Sequence, residues 1–397
     1  MSAHPSSGGA LEAVDVFDRS GTGSSKWAMA GVERHPGRIA LGLADMDLPG
    51  PAVVAEALTA RMGHPALGYT VCDPRGRELV ADWYRARHDV PVDPDWVLLL
   101  PFGPRTAVRL LLEALRDRVR GPVLLPTPEY GGFTPTCRAA GMPFEEVPLA
   151  LEPDGYRLPL ARFAERPLGA VLLSSPHNPT ARVWQRSEIR ALAETAAAAQ
   201  GVLISDEVHA DLTHPGHPHP VAVAAAGDLA RATVTLNSVG KTFNTTGLPS
   251  AFALVPDPGL RARLVEVMAG YGLWEGGLFT QVAQRAALEH GGPWLDGLLA
   301  FLVGNRDLAV GALQRAAAGA VPSPPQASFL LWLDATALGL PATGARELLL
   351  ERCGLELQDG SGFGPAGRGF LRLNYALPRP LLVAALDRLA ALAGSGR

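Results

Sequence analysis

The chain predicts an α/β fold: a mostly parallel sheet flanked by helices, followed by a smaller α+β domain. Two observations lead there. Between Trp96 and Val255 short apolar runs alternate with segments of helical period, the pattern of a parallel sheet covered on both faces. Polar residues then collect just past the C-terminal ends of those runs, where open α/β sheets bind ligands. After about residue 290 the alternation gives way to a long helix, two short strands and a closing helix. The expected division is 1–48 as an N-terminal segment joined to the small domain, 49–290 as the large domain and 291–397 as the small one.

In chain order, Pro51 to Met62 and Arg77 to His88 have helical spacing, with the loop Gly68-Tyr69-Thr70 between them. Val97 to Leu100 is a strand, and Phe102-Gly-Pro-Arg-Thr106 turns into a helix from Ala107 to Val119. Val123 to Leu125 ends in Pro-Thr-Pro-Glu-Tyr130, and Ala170 to Ser174 ends in Ser175-Pro-His-Asn-Pro-Thr180. A helix from Ser187 to Ala199 precedes Val202 to Ser205, which ends in Asp206-Glu-Val-His209. Thr233 to Leu236 leads to Lys241, and Ala251 to Val255 completes the set. In the last part, a helix from Leu295 to Ala318 leads to strands at Ser328 to Leu333 and Phe370 to Leu373, with the helix Ala345 to Cys353 and a glycine-rich loop, Gly360 to Gly369, between those strands. That loop does not run from a strand into a helix, so it is not read as a dinucleotide site.

With 397 residues and 47% apolar composition the chain supports a large core without disulfides. A net charge of −4 gives no electrostatic case for nucleic acid or an anionic membrane. Cys72, Cys137 and Cys353 are far apart and odd in number, which points to a reducing compartment. Met1 to Gly9 lacks a basic stretch followed by an apolar one, so a cytoplasmic location without a secretory leader is expected. His209, His214, His217 and His219 sit among prolines without ligand spacing, and no metal is assigned to them.

Lys241 is the chemical centre of this pattern. The chain has two lysines, Lys26 and Lys241, and otherwise uses arginine. An amine forms an imine with an aldehyde and a guanidinium does not, so a lysine kept at a strand end points to pyridoxal 5'-phosphate. A P-loop reading of Gly240-Lys241-Thr242 fails, because Thr235 stands where that motif needs glycine. The other needs of such a cofactor have candidates. Asp206 would keep a pyridine nitrogen protonated. Arg105 and Thr106, opening a helix, and Ser238 would hold a phosphate. Tyr130 offers an aromatic face, Asn178 and His209 offer donors to a phenolate oxygen, and Arg372 a bidentate guanidinium for a substrate carboxylate. Taken singly, Asp206 reads equally as a strand-end cap, Tyr130 as a turn aromatic and Arg372 as a surface ion pair.

These residues, with Lys26-Trp27, Ala44-Asp-Met-Asp47, Gly68-Tyr69, Thr127-Pro-Glu-Tyr130, Ser205-Asp-Glu-Val-His209, Lys241-Thr-Phe-Asn244 and Arg372-Leu-Asn374, make the chain recognisable. It resembles the fold-type I pyridoxal-phosphate enzymes of the class I/II aminotransferase superfamily, in the cystathionine β-lyase (C–S lyase) branch. The resemblance implies a homodimer in which Tyr69 reaches the cofactor phosphate of the opposite subunit, a small amino-acid substrate bound by Arg372 and Asn178, and α,β-elimination from a cysteine S-conjugate with Lys241 as base. An aminotransferase or a decarboxylating variant would use the same scaffold, and a regulatory protein reusing it would not need Lys241. Four departures stand out: Ala181 replaces a usual glycine, Gly42 a tryptophan and Gly240 a serine, and Arg105 is bulky for a phosphate loop. The two glycines are expected to widen the site or change its floor. Asp45 and Asp47 are expected to be structural or dimer-facing.

Overall fold

The computed structural model describes residues 15–71, 74–273 and 277–395, so Cys72 lies outside the described residues. Its main sheet has seven strands: β1 (Val97–Leu100), β2 (Val123–Thr127), β3 (Phe144–Pro148), β4 (Ala170–Ser174), β5 (Val202–Asp206), β6 (Thr233–Asn237) and β7 (Ala251–Leu254). They lie in the order β1-β7-β6-β5-β4-β2-β3. β7 is antiparallel to both neighbours and every other pairing is parallel. Every residue of β2, β4, β5 and β6 is buried, which is why these strands read as apolar runs rather than alternating ones.

Because β7 reverses direction twice over, β1 points the same way as the parallel strands, and the residues that follow all of them emerge on one edge. Helices close the faces. Pro104–Leu115 starts at Gly103 with proline in its first turn and buries Ala107, Val108, Leu110, Leu111, Leu112, Ala114 and Leu115. Arg186–Ala198 carries a capping box between Gln185 and Glu188.

The second sheet is antiparallel: β8 (Leu330–Asp334), β9 (Gln358–Asp359) and β10 (Phe370–Asn374), in the order β8-β10-β9. The helix Gly292–Ala316 leads into this region and Arg379–Ser395 packs against it. The N-terminal segment also reaches this part of the chain: Ile39–Ala40 pairs in parallel with Leu355–Glu356, and Asn374 N donates to Leu41 O at 2.8 Å. One apolar cluster runs through Leu41, Met46, Phe243, Leu302, Leu331 and Leu373, joining the segment to both sheets' surroundings.

Boundaries shift by a few residues from the periodicity, as at Pro104–Leu115 against the expected Ala107 to Val119. Edge strand β3 and the hairpin of Ala150–Glu152 with Gly155–Arg157 have no clear period and are found only in the structure. The helices Pro258–Gly270 and Leu278–His290 were likewise not evident from the sequence. Among the described residues no helix is long and apolar enough to cross a membrane.

Candidate active site

A cavity of about 280 Å³ opens at the C-terminal edge of the main sheet. Arg105, Thr106, Tyr130, Asn178, Asp206, His209, Ser238, Lys241 and Arg372 all line it, so nine side chains expected from 267 positions apart or less meet in one place. Tyr69 does not join them: it is fully exposed in the single chain.

Each group arrives by a local device. Ser238 caps the short helix Val239–Thr242 by accepting from Gly240 N at 3.0 Å, and its own hydroxyl donates to Ser250 O at 2.6 Å. That turn presents Lys241, whose Nζ donates to Ala44 O. Burial, followed by the charge of Arg372, lowers the Lys241 amine to about 8. Asp206, the last residue of β5, accepts from Val208 N at 3.3 Å, and burial raises its carboxyl to about 7. His209 meets Ser328 Oγ through Nδ1 at 3.0 Å, and burial keeps it well below the usual imidazole range, hence neutral.

Arg372 projects from β10 across to the main sheet. Its Nη1 donates to Asn178 Oδ1 at 2.8 Å and its Nη2 to Gly42 O at 2.9 Å, while its guanidinium lies 4.9 Å from the Phe363 ring centroid. Its buried Nε has no partner among the described residues. Tyr130 stands edge-on to Phe133 with ring centroids 5.2 Å apart. Its loop lies against the glycine-rich segment so closely that a Cβ on Gly131 would fall 1.9 Å from Gly362 O.

Segment 41–48 is clamped from two sides. Asn244 accepts from Met46 N at 3.1 Å and donates to Met46 O at 3.1 Å and Leu48 O at 2.8 Å. Asn374 donates to Leu43 O at 2.8 Å and Asp45 O at 2.7 Å. Beneath it, Lys26 is fully buried and pairs with Asp47 at 2.9 Å, and Arg19 bridges Asp45 and Asp47 at 2.9 and 2.5 Å. Both lysines of the chain thus serve this region, and the two aspartates anchor it through ion pairs.

Sequence reasoning passed over Glu129. It is buried beside Tyr130, accepts from Tyr130 N at 2.6 Å and from Ser174 N at 2.9 Å, and burial raises it to about 8. Its position before the singled-out Tyr130 was the only signal. Ala44 was missed as a contact to Lys241 because backbone carbonyls carry no sequence signature. The expectation that Gly42 widens the site is corrected: Gly42 does not line the cavity, and a Cβ there would lie 2.5 Å from Glu356 Oε2, so a buried carboxylate already fills that space. Gly240 does line the cavity.

The donor set fits pyridoxal phosphate on the structure's own terms. A buried carboxylate with one long amide bond, a helix N-terminus with hydroxyls, an aromatic face and a partly unpaired guanidinium all face a common space with an amine. That combination defines a class, and comparison with known proteins agrees. Residues 38–389 match the aminotransferase class I and II family, and the chain belongs to it. It is 31% identical to cystathionine beta-lyase PatB of Bacillus subtilis (strain 168), over 94% of this chain and 97% of that protein. It is 28% identical to MalY of Escherichia coli (strain K12), over 92% and 95% of the two chains. The fold also matches cystalysin from Treponema denticola, whose crystal structure contains pyridoxal 5'-phosphate, with a TM-score of 0.87, 25% identity and coverage of 97% and 99%.

Proposed function

We propose that the protein is a pyridoxal-phosphate-dependent carbon–sulfur β-lyase that cleaves cystathionine or another cysteine S-conjugate to thiol, pyruvate and ammonia. The observation that carries this reading is the facing of Lys241 and Arg372 across one cavity that also holds Asp206. The similarity to PatB over nearly the whole chain supports elimination over transamination.

The bound cofactor supplies an electron sink for the substrate's α-carbon. Lys241 would hold it, and with substrate bound its Nζ would be the base that takes the substrate's α-proton. An amine lowered to about 8 is partly neutral near neutrality and so able to accept that proton. Asp206 would keep a proton on the cofactor's ring nitrogen. Thr106, Arg105 and Ser238 would hold the phosphate, Tyr130 would cover the ring, and Asn178 and His209 would donate to the phenolate oxygen. Arg372 with Asn178 fixes the substrate carboxylate, which aligns the α-proton with Lys241. The C–S bond then breaks with its electron pair on sulfur, the thiolate takes a proton, and water hydrolyses the remaining three-carbon unit to pyruvate and ammonia.

The working form proposed is a cytoplasmic homodimer in which Tyr69 completes the phosphate site of the second copy. Its full exposure beside exposed Leu67, Val71 and Met62 supports that role. The division into 49–290 and 291–397, with 1–48 joined to the small domain, is proposed with it.

The test is incubation with L-cystathionine and several S-substituted cysteines in the absence of any 2-oxo acid. Thiol, pyruvate and ammonia are expected in equal amounts over many turnovers. A transaminase would stop after one half-reaction and resume with an oxo acid, and release of carbon dioxide would mark a decarboxylating enzyme.

A further inference from the structure

Arg372 is held by two acceptors, and one of them is a backbone carbonyl that depends on a buried acid. Glu356 is fully buried at the end of the two-residue strand that pairs with Ile39–Ala40. Its main-chain carbonyl accepts from Leu41 N at 2.7 Å, and its Oε2 accepts from Gly42 N at 3.0 Å. The carbonyl of the same residue, in the next peptide unit, then accepts from Arg372 Nη2 at 2.9 Å. The carboxylate occupies the volume a side chain at position 42 would need, since a built Cβ lies 2.5 Å from Oε2 and 2.8 Å from Oε1. Arg346 stands 3.6 Å from Oε1 on the far side, and Oε1 has no hydrogen-bond donor among the described residues.

We propose that Glu356 is a positioning residue for the carboxylate-binding arginine, acting through the backbone of Gly42, whose N–H it holds and whose carbonyl holds Arg372, and through its own negative charge, and that position 42 is glycine because Glu356 fills its side-chain space. This rests on Arg372 being the group that takes the substrate carboxylate. Desolvating a guanidinium is costly, and a buried arginine keeps its orientation only where fixed acceptors hold it. Burial lowers Arg372 to about 10, and the charge of Glu356 is among the groups that oppose this. With Nη1 and Nη2 each giving one bond to the protein, the remaining N–H groups are left to face a ligand carboxylate as a fork.

The experiment titrates L-alanine, which carries no β-leaving group, into cofactor-loaded protein and follows the cofactor's absorbance. Glu356→Gln keeps the shape and removes the charge. It is expected to weaken L-alanine binding by roughly fivefold and raise KM for a cleaved conjugate in step, with kcat changed less than about twofold and cofactor affinity unchanged. Gly42→Ala is expected to weaken L-alanine binding when Glu356 is present and to have no effect in a Glu356→Ala background. Unchanged L-alanine affinity in Glu356→Gln overturns the proposal. So does an equal penalty for Gly42→Ala in both backgrounds, or loss of cofactor binding in the Gln variant, which would make Glu356 a general support of the fold. If the wild type binds L-alanine yet releases no thiol from any conjugate, the lyase reading fails while the positioning role stands.

Discussion

At the scale of single residues, the proposed chemistry turns on Lys241. Its amine donates to Ala44 O in a cavity shared with Asp206 and Arg372, and burial with the nearby cation holds it near 8 rather than in the usual lysine range. The neutral amine is the form that attacks an aldehyde. Protein stripped of cofactor should therefore condense with added pyridoxal phosphate at a rate that rises with pH and levels off above about 8. A stopped-flow series across pH that rises instead through the ordinary lysine range would contradict the site's electrostatics. Loaded wild type should be yellow and retain the cofactor after borohydride treatment. Lys241→Ala should lose both properties and about 10²- to 10⁴-fold or more in turnover, the range attached to a lost general base.

Ala181 offers a second test at this scale. It is fully buried with a φ of 56°, in the left-handed region that suits glycine, and its carbonyl accepts from Gln326 N and Ala327 N. The left-handed conformation costs an alanine about 1–2 kcal/mol, while glycine loses roughly 0.5–1 kcal/mol through greater freedom when unfolded. Losing the buried methyl costs about 0.8 kcal/mol more, so Ala181→Gly should leave stability within about 0.5 kcal/mol of the wild type, measured by urea unfolding, without change in KM.

At the scale of elements, the site depends on a segment that is barely secondary structure. Residues 41–48 are fixed by Asn244, which follows the Lys241 turn, and by Asn374 at the end of β10. Segment, turn and strand each contribute a group to the cavity: Ala44, Lys241 and Arg372. Each net hydrogen bond is worth about 1 kcal/mol, so Asn244→Ala, losing three bonds, should destabilise by about 2–3 kcal/mol. Because Ala44 would also shift against Lys241, its turnover should fall more than its cofactor content. Thermal unfolding together with cofactor absorbance separates the two effects. Lys26→Met would leave buried Asp47 with Arg19 and Trp27 as its remaining side-chain partners. Removing one member of a buried pair costs about 3–5 kcal/mol where nothing compensates, and with Arg19 remaining the loss should fall below that range.

At the scale of the whole molecule, Tyr69 stays outside the cavity that the rest of the expected set lines. Three exposed apolar side chains, Met62, Leu67 and Val71, flank it in sequence. A second copy covering them would both bury that surface and complete the phosphate site. Sedimentation should give a dimer. Mixing Tyr69→Phe subunits with Lys241→Ala subunits should restore part of the activity, since the hybrid keeps one intact site of two. A monomer with full activity would refute this arrangement.

The sequence by itself determined the class of fold and pointed to nine of the side chains that line the cavity. Buried parallel strands need continuous apolar runs, and ligand groups must follow their ends, so β4 with Asn178, β5 with Asp206 and β6 with Lys241 are written in local order. The lysine, kept in a chain that otherwise uses arginine, marked the chemistry. What only the tertiary structure decided depends on pairs far apart in the chain. Gly42 was expected to open the site, yet it sits against Glu356, 314 residues away, and the space it leaves is filled. Ala44 meets Lys241 through a carbonyl, Lys26 is buried by Asp47, and Glu129 is desolvated by its neighbours. Hydrogen bonds to backbone and the burial of charge depend on what packs alongside, and no local period in the sequence encodes that.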